Sequence, residues 1–229
     1  DYLLKSRKGL NVLNNEQHCV IIGWNGSRTL RLIELLRAKI NAEKSNIVLC
    51  VDEPMENPLP SLIDFVTVES FSHSESMNRT NLARAKTIII DTPLDDVTLT
   101  TALFCRKMSP DSHKTAYFQD EQVGELLLEH CPNIEIIPSV SVEMLAKSTI
   151  DPGSSLLHKQ LLDATDGMTQ YSIVYPLQQS CDFGSLFTDF KHKYSATLIG
   201  IKTVDKAHID LNPALESLVN ADDVLYYIA

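Results

Sequence analysis

One feature limits the fold of this sequence more than any other: short apolar runs of strand length alternate with stretches of helical periodicity. The first run, His18-Cys19-Val20-Ile21-Ile22, ends at Gly23. Ser27 to Ala42 then reads as a helix. Leu32 lies four residues before Leu36, and Ile33, Leu36 and Ile40 share a stripe. Further runs fall at 47–51, 65–68, 87–90, 115–118 and 134–137, the last stopped by Pro138. Between them lie a loop with Pro54, Pro58 and Pro60, a short helix predicted from Ser74 to Ala83, and two longer helices. One runs to about Met108, with Thr92 as its N-cap, Pro93 in first position and Asp95 in third. The other spans Glu121 to Glu129. Runs apolar on both faces, alternating with helices, predict a Rossmann-like parallel sheet with helices on both faces.

After Pro138 the rhythm changes. Ser139 to about Asp163 reads as one or two helices, interrupted at Pro152-Gly153, and Asp166-Gly167 as a turn. Strand runs at 172–175, 197–201 and 224–228 follow, separated by one short helical segment near Leu186 to Phe190. This places a boundary near 166–170, with a small α+β domain beyond it. Residues 1–16 read as a polar linker. The chain opens at Asp1 without Met and is expected to be a piece of something longer.

The first strand-to-helix turn is Gly23-Trp24-Asn25-Gly26-Ser27-Arg28. A dinucleotide fingerprint asks for G-x-G-x-x-G. Here Asn25 and Arg28 occupy the second and third glycine positions. Backbone N–H groups at the helix start still favour an anion, and Arg28 adds charge. Asp52, 29 residues after Gly23 and followed by Glu53, stands where an acid would meet a ribose hydroxyl. Gly23 to Arg28, Asp52, Glu53, Asp91 and Thr92 are therefore the candidate ligand residues. Asp91 and Asp120, at or after the ends of the fourth and fifth strands, offer oxygen to a hard cation, or else cap helices.

Composition narrows the function. The net charge is −10, which argues against nucleic acid as a partner. The charge is uneven: residues 1–44 carry eight Lys/Arg against four acids, so the start of the chain either faces something anionic or holds its arginines on a solvated helix side. No apolar window approaches the ~18 residues of a membrane span. The five cysteines form no C-x-x-C pair and read as reduced thiols of a cytosolic protein. No G-x-S-x-G or Walker loop is present, so no enzyme activity is expected.

Three segments together resemble the RCK domain (regulator of K+ conductance), also known as the Trk-type N domain. They are Val20-Ile21-Ile22-Gly23-Trp24-Asn25, Asp64-Phe65-Val66-Thr67-Val68, and Asn81 through Ala85-Lys86 to Asp91. Ile136-Ile137-Pro138-Ser139 before a long helix fits as well. Tyr194 to Ala229, with Asn212-Pro213 and Ala221-Asp222-Asp223-Val224-Leu225, is similar to the family's C-terminal subdomain. The resemblance implies a division into linker 1–16, N-domain 17–138, crossover and dimerisation helices 139–168 and C-subdomain 169–229. It also implies a ligand-sensing gating ring on the cytoplasmic face of the membrane, a homo-oligomer coupled to the transmembrane pore of a potassium channel. The ligand would be a nucleotide (ADP, ATP or NAD) or a divalent cation such as Ca²⁺. Calcium-gated relatives use carboxylates near strands four and five. Asp91 and Asp120 match, but Phe118 stands where another is expected. The alternatives are a regulatory subunit of a K+ transporter, an NAD-dependent oxidoreductase, and an assembly module without ligand.

The apolar residues of 139–163, among them Val142, Leu145, Ile150, Leu156, Leu157 and Leu162, exceed what one small neighbouring domain covers. They predict at least a dimer.

Overall fold

The computed structural model describes residues 2–40, 47–163, 167–206 and 208–229. The helix end expected at Ala42 and the turn residue Asp166 lie outside these. The chain forms two compact units, Asp1–Val142 and Glu143–Ala229. The helices of 139–168 thus fall largely with the C-terminal unit, and the division is not at 166–170. The tie is local: the Thr169 hydroxyl, at the start of the C-terminal sheet, donates to the Leu161 carbonyl.

The first unit runs α1 (Tyr2–Arg7), β1 (Cys19–Ile22), α2 (Ser27–Ile40), β2 (Ile47–Val51), β3 (Asp64–Thr67), α3 (Ser74–Met77), β4 (Thr87–Ile90), α4 (Asp95–Met108), β5 (His113–Phe118), α5 (Glu121–His130) and β6 (Ile134–Pro138). Six parallel strands lie in the order β3-β2-β1-β4-β5-β6, with Ile21 beside Leu49 on one side and Ile89 on the other. Every residue of β1 and β2 is buried, because helices or loops cover both of their faces. One core holds Val20, Ile22, Ile88, Ile90 and Phe118 beneath α4 and α5, and the other holds Cys19, Ile21, Leu49, Phe65 and Ile33 beneath α2.

Residues 1–16 are not a free linker. After α1 the chain lies along the open edge of the sheet. Thr67 N–H donates to Gly9 O at 3.0 Å, Asn57 N–H to Arg7 O at 2.8 Å and Leu13 N–H to Arg79 O at 2.9 Å. An edge strand exposes a row of backbone groups that need partners, and this segment supplies them despite its polar composition. Gly9 is required there: at φ +67°, a Cβ would come within 2.5 Å of Thr67 N.

Two helices also differ, one in extent and one in its start. The expected helix from Ser74 to Ala83 ends as an α-helix at Met77 and continues as two 3-10 turns, which Asn81, left-handed at φ 53°, separates. Helix α4 begins at Asp95, not Pro93, and its N-cap residue is Leu94. The Thr92 hydroxyl donates to Leu94 O and meets the Thr98 hydroxyl, so it is not available to accept from the helix start.

The second unit contains most of α6 (Ser141–Ile150), then α7 (Ser154–Leu162), β7 (Gln170–Val174), β8 (Cys181–Asp182), α8 (Phe183–Tyr194), β9 (Thr197–Lys202), β10 (Asp210–Leu211), β11 (Leu218–Val219) and β12 (Val224–Ile228). An antiparallel sheet in the order β10-β9-β12-β7 packs on α8 over Tyr175, Phe183, Leu198, Ile201 and Leu225. Helix α8 is longer than the expected Leu186–Phe190 segment. Asp182 caps it by accepting from Ser185 N–H at 2.8 Å.

Cys19, Cys50, Cys105 and Cys131 are buried and Cys181 half-buried, all as free thiols. Burial pushes the Cys105 thiol up to about 12, so it is an inert core residue at neutral pH. Among the described residues no helix is long and apolar enough to cross a membrane.

Candidate functional site

The carboxyl ends of β1, β2 and β4 meet at Gly23. Its N–H donates to Cys50 O at 3.0 Å, while Asp91 N–H donates to Ile22 O at 2.9 Å. Gly23 has φ +112°, and a Cβ there would collide with the Asp91 carbonyl oxygen. The first glycine of the fingerprint is therefore needed for the close passage of two strand ends, whether or not a ligand binds.

The rest of the turn closes on itself. Asn25 N–H donates to the Thr29 hydroxyl at 2.8 Å, and the Asn25 amide donates to Asp91 O at 2.7 Å. Arg28 N–H is directed to Asn25 O at 3.3 Å. An asparagine at the second glycine position thus ties the turn to the end of β4, and one of the N–H groups expected to meet a phosphate is already engaged. Gly26 faces open space: a Cβ added there would meet no atom within 4 Å, so approach from solvent is free. Trp24 is half-buried and packs on the α2-side core. Ser27, at the start of α2, is exposed, as are Asp52 and Glu53 beyond β2.

Asp91 is the electrostatic centre. It is 5 % exposed, and Arg28 Nη2 lies 3.1 Å from its Oδ1. That oxygen makes no well-aligned hydrogen bond, so the contact is an ion pair of imperfect geometry. Burial pushes the Asp91 carboxyl above its ordinary value, and the charge of Arg28 opposes the shift. The same guanidinium lies over the Tyr117 ring, 3.8 Å from its centroid. A cavity of about 440 Å³ opens beside this cluster, bounded by Arg28, Arg31, Leu32, Asp91, Tyr117 and Ile137 among others.

The two candidate cation ligands have other work. Asp120 is the N-cap of α5 and accepts from Gln122 N–H at 3.0 Å. Asp91 is paired with Arg28. Among the described residues no three His, Cys, Asp or Glu gather as a metal site would need. Thr92 is buried and turned toward Thr98.

Two contributors escape a reading of the sequence. Tyr117, there only a strand residue, holds the Arg28 side chain. Asp95, there a helix-start residue, accepts from Gln119 and Asp120 N–H groups at 3.0 and 2.8 Å, which fixes the loop after β5. The alternation in β5 could have placed Tyr117 on the α2 side, since Lys114, Ala116 and Phe118 are the buried set. Nothing local in the sequence marks Asp95 as a loop anchor.

No known family pattern and no curated protein matches the sequence. Among solved structures, the human SLO3 gating ring is similar over 93% of this chain and 44% of its own, at 14% identity and a TM-score of 0.69. The GsuK channel bound to NAD is similar over 93% and 36%, at 17% identity and a TM-score of 0.49. The TrkA-N domain of the Escherichia coli inner membrane protein YbaL is similar over 61% and 98%, at 16% identity and a TM-score of 0.48. The chain has the RCK/Trk-type fold that the sequence resemblance implies, and it spans less than half of the gating-ring chain it superposes on.

Proposed function

We propose that this chain is a ligand-sensing regulatory domain of a potassium channel, without catalytic activity, which assembles with copies of itself into a gating ring at the cytoplasmic face of the membrane. The observation that carries this is the pair of helices α6 and α7. In an RCK-type fold they present Leu145 at 70 % and Ile150 at 82 % exposure, with Leu156, Leu157 and Leu162 also exposed. Apolar surface of that extent favours a partner.

The ligand we infer is a nucleotide held where β1, β2 and β4 end. Its phosphate would take Arg28 from Asp91, and Asp52 or Glu53 would meet the ribose. The GsuK channel has been captured with NAD and with ADP, which is compatible with this choice of ligand. The cation alternative is weaker here, because Asp120 is engaged as a helix cap. Calorimetry with ADP, NAD and Ca²⁺ tests the assignment. Heat with a nucleotide that disappears in Arg28→Glu supports it. Heat with Ca²⁺ alone, lost in Asp91→Asn, would replace it with the cation reading.

A further inference from the structure

A second charged feature lies at the amino ends of the strands, away from the candidate site, and all of its residues belong to the first unit. Helix α4 ends at Met108, β5 begins at His113, α5 ends at His130 and β6 begins at Ile134. Around these ends lies a cavity of about 190 Å³, bounded by Arg106, Pro110, Lys114, Cys131 and Asn133 among others. Its wall holds a lysine and an arginine and, among the described residues, no acid. Lys114 is only 3 % exposed. A buried ammonium ordinarily has a carboxylate beside it. Among the described residues neither Lys114 nor Arg106 forms an ion pair. The Lys114 Nζ donates to Ser112 O at 2.7 Å and to Pro110 O at 3.3 Å, which leaves one of its three hydrogens over. Arg106 uses one nitrogen, Nη1, for His130 O and the Cys131 sulfur. Its Nε and Nη2 have no hydrogen-bond acceptor among the described residues. Burial pushes the Lys114 amine below its ordinary value, with Cys105, Asp111 and Cys131 opposing. Asp111 is the one carboxylate among these, and it stands exposed, outside the cavity wall.

We propose that this cavity binds a small oxyanion, of the size of inorganic phosphate, between Arg106 and Lys114. The charges call for one. A helix C-terminus counts for about half an elementary charge, so the ends of α4 and α5 together offset about one of the two positive charges. The other is left for a group that the chain does not supply. Size narrows the class. At ~30 Å³ per water the cavity has room for about six waters, enough for one phosphate or sulfate with part of its hydration. It falls below the roughly 300 Å³ at which pockets for drug-sized ligands begin, so the nucleotide inferred above does not fit and this is a separate site. The anion accepts from the remaining Nζ hydrogen of Lys114 and from Nε or Nη2 of Arg106, both charge-assisted bonds. Asn133, in the turn before β6, offers an amide beside them. One ligand thus joins α4, β5 and the turn between α5 and β6.

The test is an NMR titration of the 229-residue chain, carbon-13 labelled at lysine Cε, with sodium phosphate at constant ionic strength. Lys114→Arg identifies the Lys114 signal, and circular dichroism confirms that each variant folds. The Lys114 signal is expected to shift to saturation, and further than that of any other lysine. Arg106→Gln should weaken binding about tenfold, as the loss of one hydrogen bond to a charged group implies. Lys107→Gln removes the same charge from the next residue, exposed and outside the cavity wall, and should change the affinity less than about twofold. A Lys114 signal that stays in place throughout the millimolar range of phosphate would overturn the inference. Equal weakening by Arg106→Gln and Lys107→Gln would do the same, since diffuse surface charge would then account for the binding. An equal shift with sodium chloride would overturn the oxyanion class. Phosphate held at the β1 turn, at the other end of the strands, does not touch Lys114, so none of these outcomes bears on the nucleotide reading.

Discussion

The two units of this chain bury their apolar residues to very different extents. In the first, two cores enclose both faces of the central strands, and Ile21, Ile22, Leu49 and Phe118 are fully inaccessible. In the second, among the described residues, Tyr175, Phe183, Leu198, Ile201, Val219 and Leu225 make the buried cluster, while α6, α7 beyond its buried Ser154, and the whole of β7 stay open. Similar hydrophobic content therefore has two fates. The first unit is stabilised mainly by its own packing. The second leaves apolar surface exposed on α6, α7 and β7.

The largest effect should come from the finished core. Phe118→Ala opens a void between β5 and α5, and large-to-small changes at such sites cost about 3–5 kcal/mol. Urea unfolding followed by hydrogen exchange should show this loss in residues 1–142, with protection in 167–229 retained. Equal loss in both units would mean that they unfold as one, and the contrast would fail.

The opposite behaviour is expected on α7. Leu157→Asp places a charge on an exposed face, so the isolated chain should keep its unfolding midpoint. Self-association should weaken at least tenfold, about 1.4 kcal/mol. Sedimentation across a concentration series measures this. An unchanged dimer constant would show that α7 stays in water, leaving the exposure of the second unit without an explanation.

The same contrast explains what is legible in the sequence. The six strands of the first unit announce themselves as short runs rich in apolar residues: β1 and β2 are buried throughout, and β4, β5 and β6 alternate between a buried and a more open face. The longer strands of the second unit stand out as runs too. The two-residue strands β8, β10 and β11 do not, since pairs such as Asp210-Leu211 carry no periodicity. The misreadings share a cause: backbone partners distant in sequence. Residues 1–16 look like a linker until β3 is seen to need their carbonyls. Thr92-Pro93 looks like a helix start until Thr98 is found beside the hydroxyl. At the candidate site the turn itself is legible. Its closure is not, because it depends on Asn25 reaching Asp91, 66 residues later, and on Tyr117 reaching Arg28.

A smaller effect should separate the units by pH. His18 is buried on β1 with Nε2 2.9 Å from Thr80 O and Nδ1 without a partner. Burial pushes its imidazole below the ordinary value, with the Thr80 contact and the Asp64 charge opposing. In the unfolded chain the ring takes up a proton near pH 6.5, about its ordinary value, while the folded chain resists. Stability is therefore complete above that pH and declines as pH falls through it toward the lower folded value. The decline should appear in the first unit and be reduced in His18→Gln. A decline of the same size in the second unit would assign it to other groups.

The smallest change in stability belongs to Asp91→Asn, and it is the one that bears most directly on the ligand. The buried carboxylate has a raised pKa, so its charged form works against folding. Its contribution improves as pH falls from the folded value toward the ordinary one, opposite in sign to His18. Removing the charge relieves that burden but deprives Arg28 of its partner, and Arg28 is half exposed, so the ion pair is worth at most about 1 kcal/mol. The two effects oppose each other, and the unfolding midpoint should hardly move. Ligand affinity should move. With Asp91 neutral, Arg28 is held only by the Tyr117 ring and is free to meet a phosphate. Calorimetry should then show ADP binding several-fold tighter than in the wild type. Weaker ADP binding in Asp91→Asn would mean that the carboxylate aids the ligand and does not compete with it, and Arg28 would be a structural clamp with no part in sensing.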